Sequence, residues 1–227
     1  MLIVLGVLIL LLVIFGPGLW VKRVLARYSR PADRYPGTGG DLARHLLDQL
    51  GLHQVKTEIT DKGDHYDPET KTVRLSADKF NGRSLTAITV AAHEVGHAHQ
   101  DATGYGPLRW RTRLVKLAAP AERVGAAALM FAPFVTLITR APIAGALMLL
   151  GGFLVMGFGA LIHLVTLPME LDASFGRALP MLKQGGFLQS GDEPHARRLL
   201  TAAACTYVAV SLMSLLNVGR WWAILRR

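Results

Sequence analysis

From Leu2 to Val21 the chain runs without a single charged side chain. About twenty apolar residues match the length of a helix that crosses a bilayer, so this run predicts a membrane protein. A cleaved leader would want a basic start and a small-residue cut site. Here the start has no Lys or Arg, and the run ends in Trp20, followed by Lys22, Arg23 and Arg27. An aromatic and a basic cluster at one end predict a retained anchor. Two further apolar runs, 124–139 and 143–167, are separated only by Arg140, Ala141 and Pro142, which predicts a tight helical hairpin. Gly145, Gly151, Gly152, Gly157 and Gly159 would let its helices pack closely. A fourth run, 202–218, is shorter and carries Thr206, Tyr207 and Ser211.

Composition agrees with that reading: hydrophobic residues make up 51% and the mean hydropathy is +0.33. The formal net charge is +9. The basic residues flank apolar runs, so the lipid bilayer, not nucleic acid, is the expected partner. Residues 22–117 hold sixteen of the 25 Lys and Arg, which places this region on the cytoplasmic side of a cell (inner) membrane crossed several times. The one cysteine, Cys205, excludes an intrachain disulfide and reads as a small buried hydrophobe.

Between the apolar runs, residues 29–40 are rich in Pro, Gly and charge and predict a loop. Helical spacing of Leu42, Leu46 and Leu50 predicts a helix over 41–50, with Gly51 as its stop. Val55, Thr57 and Ile59 alternate as in a strand, and 66–76 reads as strand, turn and strand. Ser84 is a good N-cap for a helix reaching about Asp101, and Gly104, Gly106 and Pro107 close it.

Inside that last helix lies His93-Glu94-Val95-Gly96-His97. Residues four apart share a helical face, so the two imidazoles can grip one metal ion. Glu94 stands beside them, placed to act as general base toward a water. Zinc is the metal this donor set suits, one per chain, and it would bring such a water toward a pKa of roughly 7. A catalytic zinc takes three protein ligands and keeps one position open. His99 does not share the face of His97 and is not expected to ligate. Gln100 and Thr103 stand where the longer metzincin pattern would place Gly and His, so the third ligand comes from elsewhere. Glu170 is the first candidate, because a bilayer hairpin would return it to the side of His93 and His97; Asp172 and Glu122 follow it. Supporting or oxyanion-stabilising groups are sought among Asp172, Ser174, His65, Tyr66, Tyr105, His195, Arg197 and Tyr207. His163 is a further ionisable group, inside the third apolar run. The strand directly before the helix is expected to be an edge to which a substrate peptide adds.

His65-Tyr66-Asp67-Pro68, Thr72-Val73-Arg74-Leu75-Ser76 and Ala91-Ala92-His93-Glu94-Val95-Gly96-His97-Ala98 together resemble the neutral zinc metallopeptidases of the bacterial membrane, the YugP type. The segments 104–108, 167–170 and 201–207 fit the same resemblance, which covers nearly the whole chain. More distantly the chain is similar to HtpX and the CAAX-prenyl proteases, whose zinc glutamate lies in a Glu-x-x-Ala-Asp pattern. The matching residues here are Glu170, Ala173 and Ser174, so the resemblance implies Glu170 as third, gluzincin-like ligand, with Ser174 departing from the acid.

The resulting expectation is a mainly α membrane protein with about four transmembrane helices and a small α+β zincin-like region carrying HExxH on a helix. Residues 1–21 would be the anchor, 22–117 the catalytic region and 118–167 the transmembrane hairpin. Residues 168–201 would be the third-ligand segment with a polar helix, and 202–227 a membrane helix with a basic tail. The expected activity is zinc-dependent endopeptidase cleavage of a peptide or protein, in membrane protein quality control. The alternative is a zinc-binding membrane scaffold without catalysis. An intramembrane protease is disfavoured, because the metal helix holds Ser84, Thr86, Gln100 and Asp101 and is too polar to span.

Overall fold

The computed structural model describes residues 2–215. The end of the fourth apolar run, the tail at 220–227 and the side chains of Glu122, His163 and Tyr207 lie outside the described residues. The chain divides into two compact units, the larger taking in Pro17–Arg109 and Leu167–Thr206 and the other including Trp110–Thr166.

In the larger unit, the end of helix α1 (Leu2–Tyr28) leads through a loop to α2 (Gly39–Gln49). Thr38 opens α2 with a capping box: its hydroxyl accepts from Asp41 N at 3.1 Å, and the Asp41 carboxylate accepts from Thr38 N at 3.0 Å. A cap contributes about 1 kcal/mol. Burying Leu46 and Leu47 fully contributes about 1.5–3 kcal/mol each, so α2 is held mainly by its inner face.

Three short strands follow: β1 (Lys56–Ile59), β2 (His65–Asp67) and β3 (Thr72–Leu75), ordered β1-β3-β2. β2 and β3 form the expected hairpin, antiparallel with Tyr66 opposite Val73. Asp67 organises its turn, accepting from Glu69 N at 2.9 Å and from the Thr70 hydroxyl at 2.8 Å. β1 pairs with β3 in parallel, Lys56 opposite Thr72 through Ile59 opposite Leu75. The strand nearest the metal helix in sequence is therefore central, not an edge. Val73 and Leu75 are fully buried there, and the free edges belong to β1 and β2.

After a single turn, α3 (Ala77–Phe80), comes α4 (Leu85–Ala102), whose N-terminus is capped by Ser84 Oγ accepting from Ala87 N at 3.2 Å. Nearly every side chain of α4 is buried. Helices apolar on all sides need cover on all sides. α2 and the sheet cover part of α4; the rest comes from the returning segment α7 (Leu167–Leu171), a π-helical stretch Asp172–Ala178 and α8 (Leu179–Gln184). Leu199 and Leu200, from the first turns of α9 (Glu193–Leu215), complete this core. Gly96 permits a close approach of α4 to the π-helical stretch: a Cβ there would stand 2.7 Å from the carbonyl oxygen of Ala173.

The other unit contains most of α5 (Gly106–Thr139) together with α6 (Pro142–Val165), joined through Arg140 and Ala141. Their backbones also approach closely, since a Cβ on Gly152 would meet the carbonyl oxygen of Gly125 at 2.8 Å.

The expectation of about four transmembrane helices is corrected. Among the described residues no helix is long and apolar enough to cross a membrane. Arg111, Arg113 and Lys116 lie in the opening turns of α5, and Glu193, Arg197 and Arg198 in those of α9, so the uncharged remainder of each described helix falls short of the roughly twenty residues a span takes. The described architecture is mainly helical, with one three-stranded sheet.

Candidate metal centre

His93 and His97 are one turn apart on α4, with ring centroids 4.7 Å apart and planes at 78°. Glu170, from α7, points its Oε2 between them, 3.3 Å from His93 Nε2 and 3.2 Å from His97 Nε2. One ligand atom from each residue lies within 4.8 Å of the others, and all three residues are buried. Glu170 is wholly inaccessible, and its Oε1 has no hydrogen-bond partner among the described residues. An unpaired carboxylate oxygen at full burial is costly. A divalent cation at this point would satisfy it, and two imidazoles with one carboxylate form a zinc donor set. The residues fit the metal.

The far side of each imidazole is also fixed. Gln100 is fully buried; its Oε1 lies 3.0 Å from His97 Nδ1, and its Nε2 donates to Met169 O and to Asp172 Oδ2, both at 2.8 Å. The amide oxygen can only accept, so His97 Nδ1 carries the proton. Ser174 Oγ donates to Leu200 O at 3.1 Å and lies 3.1 Å from His93 Nδ1, so it accepts the His93 Nδ1 proton. Nε2 of each ring is thereby the atom turned to Glu170, and it offers a lone pair there once the ring is neutral. Such outer hydrogen bonds orient metal-binding histidines and raise their basicity.

The electrostatics follow from burial and charge. Burial alone would lower the pKa of His97, but the adjacent Glu170 carboxylate overrides it and carries the value to about 9. Burial would likewise raise the Glu170 carboxyl, yet His97 and His93 hold it at about 2. Glu94 is pushed upward, chiefly by burial, with the two histidines pulling the other way. A carboxylate so placed holds a proton more readily than one in water.

The other sequence candidates are distributed as follows. Asp172 joins the cluster indirectly, accepting from Gln100 and from Arg177 Nε at 2.9 Å. Tyr105 packs under the Arg177 guanidinium at 5.6 Å. His99 has its pKa lowered by burial and by Arg177. Tyr66 donates its hydroxyl to Asp101 at 2.7 Å. His65 Nδ1 lies 2.8 Å from Gly63 O, Arg197 pairs with Glu193, and His195 stands against Tyr28; none of these contacts joins the metal cluster. In the sequence Gln100 stands out as the missing glycine of the metzincin pattern and as a polar residue of the metal helix, not as a partner of His97. Its spacing of three from His97 on one helix face was the signal that could have found it.

A profile of the family described as "Putative neutral zinc metallopeptidase" matches residues 2–226. The protein named "Putative membrane protease YugP" from Bacillus subtilis (strain 168) is 38% identical over 205 residues, covering 88% of this chain and 86% of that protein. No solved structure matches the chain.

Proposed function

The chain belongs to the neutral zinc metallopeptidase family, and from that premise we propose that it is a zinc-dependent endopeptidase with His93, His97 and Glu170 as metal ligands and Glu94 as general base. The convergence of two imidazole Nε2 atoms on a buried carboxylate with an unpaired oxygen is the observation that carries this reading. When bound, zinc would acidify a water and polarise a peptide carbonyl.

The chain's own residues do the rest. Gln100 and Ser174 hold the Nδ1 protons, so both Nε2 atoms are presented as lone pairs. Glu94 takes the proton from the attacking water and passes it to the departing amine. Its raised proton affinity suits both halves of that transfer, since the carboxyl must hold the proton between them. Residues 22–117 supply the two histidines and the base, and 168–201 supply Glu170, Asp172 and Ser174. Unfolded or membrane-proximal protein segments are the proposed substrates. The relative's name speaks of a membrane, and the clustered Lys and Arg favour the anionic cytoplasmic surface as the place of action.

The test compares wild type with Glu94→Gln for bound zinc and for cleavage of an unfolded model protein. Stoichiometric zinc in both, with cleavage by the wild type alone, is the expected result. Zinc in both with cleavage by neither would favour the scaffold alternative. Absence of stoichiometric metal from both, after purification without chelators, would sink the proposal.

A further inference from the structure

Away from the metal cluster, the larger unit has a cavity of about 280 Å³. Arg27, Tyr28, Arg30, Arg34, Asp192 and His195 line it. We propose that this cavity binds a phosphate group, and that Arg27 and Arg30 are its anion-holding residues.

Its charge balance is the first argument. Asp192 is the one carboxylate in the lining, and both its oxygens are engaged. Arg34 Nε donates to Oδ2 at 2.9 Å and its terminal nitrogen to Oδ1 at 2.7 Å; the Tyr35 hydroxyl also donates to Oδ2. These hydrogen bonds outweigh burial and hold the Asp192 carboxyl below its ordinary range, so it stays ionised and paired with Arg34. The charges left over are those of Arg27 and Arg30. Both are exposed, and neither has a carboxylate partner among the described residues.

Donor geometry is the second argument. Guanidinium forks match phosphate oxygens and bind them through paired hydrogen bonds. Tyr28 and His195 form part of the wall, with the hydroxyl 3.2 Å from His195 Nδ1 and ring centroids 5.0 Å apart. That contact uses Nδ1 and leaves His195 Nε2 without a protein partner among the described residues, available to a ligand oxygen. The wall joins residues 167 positions apart in the chain, so the cavity is built by tertiary packing, not by a local run of basic residues.

A phosphate reaching this cavity is either free in solution or part of a phospholipid headgroup, and the test separates the two. Full-length protein is titrated with inorganic phosphate by calorimetry, and separately sedimented with vesicles of phosphatidylglycerol in phosphatidylcholine and of phosphatidylcholine alone. Binding to at least one phosphate probe is expected. Arg27→Gln and Arg30→Gln should each weaken it about fivefold, and together about 25-fold. The pair Lys56→Gln and Lys62→Gln removes the same charge outside the cavity and should change binding less than about twofold. Binding of inorganic phosphate identifies a soluble source; binding only to the phosphatidylglycerol vesicles identifies the headgroup. No binding of inorganic phosphate together with no preference for phosphatidylglycerol, whose phosphate is not neutralised by its own headgroup, over zwitterionic phosphatidylcholine, or equal loss in the arginine and lysine pairs, overturns the proposal. The single variants keep the test decisive if the double arginine variant fails to fold.

Discussion

Gln100 and His97 sit three residues apart on α4, and the amide oxygen of one accepts the Nδ1 proton of the other at 3.0 Å. The amide nitrogen crosses to the returning segment, donating to Met169 O and Asp172 Oδ2. One buried side chain thus fixes an imidazole and ties it to the backbone next to Glu170. Gln100→Ala leaves the buried His97 Nδ1 without its acceptor, a cost of about 1–3 kcal/mol, and removes the donor to Met169 O and Asp172 Oδ2. Zinc affinity should fall about 10–100-fold. Chelator competition measures the affinity and chemical denaturation the stability. A Gln100→Ala variant with wild-type zinc affinity would mean that His97 needs no such support.

Ser174 serves His93 in the same way from the other side. Ser174→Ala removes the acceptor for His93 Nδ1 and the donor to Leu200 O. The expected result is about tenfold weaker zinc binding, with little change in Glu94 chemistry once zinc is saturating. A titration of activity against free zinc separates the two: the curve shifts to higher zinc while its plateau stays within about threefold. Loss of the plateau itself would place Ser174 closer to the reaction than its contacts indicate.

The metal helix was legible in the sequence because each local signal points the same way. Ser84 caps it, its apolar residues repeat at helical spacing, and His93 and His97 are one turn apart. Glu170 is legible by its residue type and neighbourhood; in the fold it stands by the histidines where the π-helical stretch packs onto α4. The uncharged parts of α5 and α9 that follow their charged first turns are shorter than the roughly twenty residues a span takes, which the apolar runs by themselves do not announce. The place of β3 in the sheet was hidden for a different reason. Alternation shows that a strand exists, but the parallel partner β1 joins it from thirteen or more residues upstream, and no turn signal announces that pairing. The contact of Tyr28 with His195 leaves no trace in local sequence at all.

Gly96 makes the packing of α4 against the returning segment testable. A Cβ at this position would stand 2.7 Å from Ala173 O and 3.3 Å from its carbonyl carbon, both backbone atoms that cannot rotate aside. Gly96→Ala must therefore push the π-helical stretch away from α4. Overpacking of this kind costs about 1–3 kcal/mol. Glu170 and Ser174 move with that stretch, so zinc affinity should fall along with stability. Gly51→Ala provides the contrast: nothing lies within 4 Å of a Cβ there, and its φ of +70° makes the penalty purely a backbone one. Gly51→Ala should lower the denaturation midpoint without lowering zinc affinity. Equal loss of zinc affinity in both variants would refute the packing explanation.

Asp67 makes the stability of the hairpin depend on acid. Burial tends to raise its pKa, but Arg74, the Thr70 hydroxyl and the amides of Glu69 and Thr70 together hold it well below the usual carboxylate range. A depressed folded-state pKa means that the unfolded chain takes up a proton first as the pH falls. The stabilisation is therefore complete above the unfolded value of about 3.9 and is lost progressively as the pH drops from there toward the folded value. Asp67→Asn keeps one acceptor for the turn amides but loses the ion pair with Arg74 at 2.8 Å. The variant should be less stable than wild type at pH 7, and the gap should narrow at pH 3. Urea midpoints for both proteins at pH 7, 5, 4 and 3 measure the gap. A gap that stays constant from pH 7 to pH 3 would show that the charge on Asp67 does not hold the turn.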